Sequence, residues 1–180
     1  QAIAQAKEAQ IETSLERVRS RSLAMQKSEE LKEVIQVVYE QFVHLNVNTE
    51  HTGFVIDYKL RNDRLIWVAS KYGVPSQLTI PYFDCEYYNS FNEAKDKGWD
   101  FFATNLSFED KNNFYRELFK YIPGLHEDAK DFYFNCRGLA ISTVLLENVG
   151  LYIENFEGTP YSDEDNSILM RFGKVFQQTY

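Results

Sequence analysis

VGLYIENF (149–156), then EGTP (157–160), then YSDEDNSILMRFGKVFQQTY (161–180) spell a strand, a turn and a long helix. The first segment carries apolar residues on both of its faces, so the sheet it joins must be covered on both sides. Ser162 followed by Asp163, Glu164 and Asp165 reads as an N-cap with acids in the first turn, where the helix dipole favours them. The alternative use of those acids, as metal ligands, is the weaker reading, and no metal is expected. Ile168, Leu169, Phe172, Val175, Phe176 and Tyr180 then recur at helical spacing.

Upstream, 132–146 reads as a long strand paired with 149–156 around Glu147 and Asn148. Gly53 to Tyr58 alternates, with Phe54, Ile56 and Tyr58 on one face, and Leu65 to Ala69 returns after a turn at Arg61–Asp63, with Leu65 and Trp67 facing inward. Residues 71–77, with Gly73 and Pro75, read as loop, and 78–82 as a short strand. Between the hairpins lie a helix over 83–97, a strand over 99–104 and a helix capped by Ser107 and stopped by Pro123-Gly124. Leu31, Val34, Ile35, Val38, Phe42 and Leu45 stripe a helix ahead of the first hairpin. The fold class is α+β: an antiparallel sheet flanked by helices, with the first and last helices free to pack together on one face.

Residues 1–27 contain no Gly or Pro. Ala4, Ile11, Val18 and Met25 repeat every seven residues, interleaved by Gln1, Glu8, Leu15 and Ser22. Lys7 and Glu12 fall where they suit pairing between parallel chains. Ile11, Leu15, Val18 and Met25 are therefore expected to form a homodimer seam, against the alternative that this helix packs back on its own domain. The boundaries expected are a signalling helix over 1–28 and a domain over 29–180, whose last helix, 162–180, runs on into a next module.

The 180 residues carry a formal charge of −8, which disfavours nucleic acid and anionic membrane surfaces as partners. The hydrophobic fraction of 44% and aromatic fraction of 16% mark a folded chain. No apolar run reaches the ~20 residues of a membrane span, and the expected compartment is the cytoplasm. Cys85 and Cys136 lack the spacing of a zinc set or a redox pair and read as small hydrophobes.

The chain resembles the GAF-domain family. The resemblance rests on 150–153, on 160–165 and on 172–176, and at the other end on 9–12, 15–21 and 25–31, which look like the signalling linker that precedes such domains in bacterial sensor kinases and cyclases. It implies a GAF/PAS-like sheet and a non-catalytic regulatory role in cis, on an output such as a two-component histidine kinase. The NKFDE motif of cyclic-nucleotide-binding relatives has no match at 92–96, and neither Cys85 nor Cys136 has the neighbours of a bilin attachment site. His44, His51 and His126 lack phosphoacceptor surroundings, and no catalytic constellation emerges, so an enzyme is not expected.

Sixteen of the 28 aromatic residues lie between Tyr82 and Phe134. They either line an effector pocket or fill a core. For the pocket, the expected lining is Tyr87, Tyr88, Trp99, Phe101 and Arg137, with Arg137 as a cation in an apolar strand in need of a partner. No cofactor is assigned. Two functions stay open, an effector-binding sensor and a ligand-free dimerisation and relay module.

Overall fold

A computed structural model describes residues 1–73 and 77–180. The elements run α1 (Ala2–Leu23), a 3-10 turn (Ser28–Glu30), α2 (Leu31–His44), β1 (His51–Ile56), β2 (Arg64–Ala69), β3 (Gln77–Ile80), α3 (Glu86–Lys97), β4 (Phe101–Leu106), α4 (Phe108–Leu118), a second 3-10 turn (Phe119–Tyr121), α5 (Glu127–Asn135), β5 (Leu139–Leu145), β6 (Val149–Asn155) and α6 (Asp163–Thr179). Of the loop read over 71–77, residues 74–76 lie outside the described residues.

The strands form one antiparallel sheet of order β3-β2-β1-β6-β5-β4. Every position of β5 is buried, as the two-sided apolar pattern requires. One face carries an aliphatic layer. There Val34, Ile35, Val38 and Phe42 of α2 meet Ile168, Leu169, Phe172 and Phe176 of α6 over Phe54, Leu151 and Ile153. Phe42 packs on Phe172 at 4.8 Å and Phe54 stacks on Phe176 at 4.5 Å. The other face carries an aromatic layer under α3, α4 and α5.

Serine caps stand where sequence places them. Ser107 accepts from Asp110 N at the head of α4, and Ser162 accepts from Asp165 N at the head of α6.

Three expectations are corrected. Residues 132–135 are not strand but the last turn of α5. The signal for a helix lies upstream, where His126 Nδ1 accepts from Asp128 N and Glu127 and Asp128 sit in the first turn, while the aromatic run imitates a strand. Tyr58 does not share a face with Phe54 and Ile56. The backbone turns at Asp57 (φ 50°), and the Tyr58 hydroxyl donates to Leu146 O at 2.6 Å within the aromatic layer. The apolar stripe of α1 is covered by the chain itself: Ile11, Leu15 and Val18 are 5%, 4% and 0% exposed and belong to the aliphatic core between α2 and α6. Met25 lies beyond the end of α1, half-buried against the same core. In this conformation none of these three helix side chains is available to a second copy. Lys7 and Glu12, expected to pair between chains, instead reach Glu164 and Arg171 of α6.

Candidate functional site

The aromatic layer is built where α3 lies across β4, β5 and β6. Cys85 caps α3, its Sγ accepting from Tyr88 N, and Gly98 ends it with φ 69°. Between those ends Tyr87, Tyr88, Phe91 and Ala94 point at the sheet. Tyr87 stacks on Phe102 at 6.2 Å, and Phe91 meets Phe102 edge-on at 5.6 Å. From α4, Phe114 and Tyr115 close the layer, and Tyr133 of α5 packs on Tyr115 at 4.9 Å.

Of the five residues expected to line a pocket, the structure brings together two. Tyr87 and Tyr88 are neighbours in this layer, at 5.6 Å. Phe101 turns to the opposite face and packs against the aliphatic core. Trp99 is 46% exposed with Lys97 Nζ over its ring. Arg137 is exposed on the bend between α5 and β5, so the premise of a cation in an apolar strand fails with the strand itself.

The charges that do enter the layer are others. Arg64, on β2, is 1% exposed. Its guanidinium lies 5.2 Å from the Tyr88 ring and 4.5 Å from the Phe91 ring, donating to Asn92 Oδ1 at 2.7 Å and to Asn62 O at 3.3 Å. Burial lowers its pKa. Glu154, on β6, lies opposite His51 of β1 and meets it at 2.6 Å through Nδ1, while Tyr133 OH is 3.4 Å from His51 Nε2. Lys111 of α4 is fully buried and donates to Tyr133 O, Phe134 O and Cys136 O, the last carbonyls of α5. A cation there answers the negative end of that helix. Burial also lowers the Lys111 pKa.

Burial pushes the phenols of Tyr87, Tyr88, Tyr115 and Tyr152 up, and for Tyr115 and Tyr152 the Glu154 carboxylate is the next cause. Among the described residues, buried Thr104 Oγ1 and Arg64 Nε have no hydrogen-bond partner. The signal that could find Arg64 in the sequence is a charge in a strand otherwise made of apolar residues.

A surface cleft of about 430 Å³ opens between the start of α3 and α4, floored by Phe83, Leu106 and Phe114 and rimmed by Asp84, Glu86 and Glu117. It touches neither Arg64 nor Tyr87. Among the described residues no group of three His, Cys, Asp or Glu side chains is placed to hold a metal, and no helix is long and apolar enough to cross a membrane. Both cysteines are free.

No protein-family model matches this sequence, and no curated protein does. Solved structures do. The GAF domain of a phosphoenolpyruvate-protein phosphotransferase (ptsP) from Coxiella burnetii superposes with a TM-score of 0.56 at 9% identity, over 95% of this chain and 92% of that one. The GAF domain from the Acinetobacter phosphoenolpyruvate-protein phosphotransferase gives 0.50 at 11% identity, over 92% of each. At such identities the likeness concerns fold, and over nearly the whole chain it is consistent: this chain has the GAF-domain fold.

Proposed function

We propose that this chain is a non-catalytic regulatory module of a multidomain signalling protein, passing a conformational signal from its aromatic face to an output joined in line. The observation that carries this reading is the pairing of the end helices. Lys7 meets Glu164, Arg171 meets Glu8 and Glu12, and Thr179 meets Ser22. The offset between partners stays nearly constant along both helices, so α1 and α6 run side by side in the same direction. Fifteen residues of overlap make a rod of about 22 Å. A segment joined ahead of α1 and one joined after α6 sit at opposite ends of that rod, the arrangement an in-line relay needs.

The sheet links this rod to the aromatic layer, because the strands that bury Phe54, Leu151 and Ile153 under α2 and α6 bury Val55 and Tyr152 on the other side. Partnerless polar atoms in the aromatic layer favour an effector there. The close ring packing favours the second reading, a ligand-free relay. Our reading of the output is a histidine kinase of the two-component type; the two similar solved structures come from phosphotransferases, the competing output.

The test is a reversible crosslink in the intact protein. Ser22→Cys with Thr179→Cys pins α1 to α6, where the native hydroxyls already lie 2.5 Å apart. Oxidation is expected to change the autophosphorylation rate severalfold, and reductant to restore it, with each single variant unaffected. An output indifferent to the crosslink overturns the relay.

A further inference from the structure

Arg64 is a guanidinium sealed into an apolar layer without an acid to answer it. It is 1% exposed, and among the described residues no carboxylate pairs with it. Asp63, next in sequence, is held by Arg61 through both of its oxygens, at 2.7 and 2.9 Å. A buried charge in that condition is expensive unless something compensates it. Two aromatic rings and two neutral oxygens compensate in part.

The remaining shortfall has a direction. Arginine recognises oxyanions through the edge that carries Nε–H and one Nη2–H, which matches two oxygens of a carboxylate or phosphate. Nη2 donates to Asn92 Oδ1 at 2.7 Å, and among the described residues Nε–H has no acceptor. The Nε–H of the edge built for two oxygens is left without an acceptor.

We propose that Arg64 is the anchor of an oxyanion-binding site in the aromatic layer, taking a small carboxylate or phosphate whose body rests against Tyr88 and Phe91. The proposal rests on the regulatory reading above and names its effector class. An oxyanion on the Nε–Nη2 edge satisfies the vacant donor and competes with Asn92 Oδ1. Asn92 sits on α3, the helix that also supplies Tyr88 and Phe91. Its release frees α3 from β2, and with it the layer facing Glu154 and Tyr152. Binding is thereby coupled to the same sheet on which α6 lies.

The deciding measurement is the side-chain Nε resonance of Arg64 in the wild-type chain, which burial protects from solvent exchange. Benzoate and inorganic phosphate are each titrated against chloride at equal ionic strength. A saturable shift with either supports the site and tells a carboxylate from a phosphate; no shift with both overturns it. Thermal melting gives the companion readout. An anion that binds only the folded state raises the midpoint, and Arg64→Lys, which keeps the charge and loses the two-donor edge, is expected to abolish that rise. A rise that persists in Arg64→Lys assigns the anion to another site and also overturns the proposal. Failure here leaves the α1–α6 relay standing, because the crosslink reads that relay without any ligand.

Discussion

Gly53 shows how closely the aromatic layer is fitted to the sheet. Tyr152, its partner on β6, lies across it, and a Cβ at Gly53 would stand 2.3 Å from ring atoms Cε1 and Cζ. Gly53→Ala is therefore expected to cost about 1–3 kcal/mol in urea denaturation, as overpacking does. Tyr152→Leu removes the ring, so the double variant should lose less than the two single losses combined. A Gly53→Ala loss under about 0.5 kcal/mol would show that the ring swings aside freely. From sequence, Gly53 reads only as the start of an alternating strand, because a cross-strand neighbour is invisible until register is known. Arg137 teaches the converse. A charge in an apolar strand needs a partner, but β5 begins only at Leu139, and the residue that meets that condition is Arg64.

The end elements were legible because each carries its own signal: periodicity in α2 and α6, side-chain caps at Ser107 and Ser162, alternation in β1 and β2. The middle was less so, since Phe132, Tyr133 and Phe134 favour strand by type while His126 and the acids behind it start a helix. What holds α5 is Lys111, a long-range contact no local pattern reports. Lys111→Met should leave three carbonyls without their donor and cost about 1–3 kcal/mol. Hydrogen exchange is expected to accelerate in α5 while β5 and β6 stay protected; uniform acceleration would mean that α5 is not separately held. On α1, a seven-residue repeat suits a partner helix, but it does not say whose. Val18 is fully buried within the chain, so Val18→Asp is expected to destabilise the fold by about 3 kcal/mol or more. Dissociation of a dimer with unchanged melting would restore the seam between copies.

The buried phenols give the molecule as a whole a response to alkaline pH. Tyr87, Tyr88, Tyr115 and Tyr152 are all held above the ordinary phenol value by burial, and all lie on one face. In the unfolded chain these phenols ionise near pH 10. The folded chain keeps them protonated beyond that, so above pH 10 the folded state binds more protons than the unfolded one. Their contribution to stability is thus fully present below about pH 10 and lost as pH rises toward the folded-state values, with a slope of about 1.4 kcal/mol per pH unit for each phenol held protonated. The melting temperature should stay level, as far as these groups decide it, up to about pH 9.5 and then fall steeply. Phenolate absorbance from the buried rings is expected in the same transition as the loss of far-ultraviolet circular dichroism. If those rings ionise while the fold persists, water already reaches the aromatic layer in the resting state. An open layer would carry the sensor reading without any movement of α3, whereas joint ionisation and unfolding makes that movement the first step in admitting an effector.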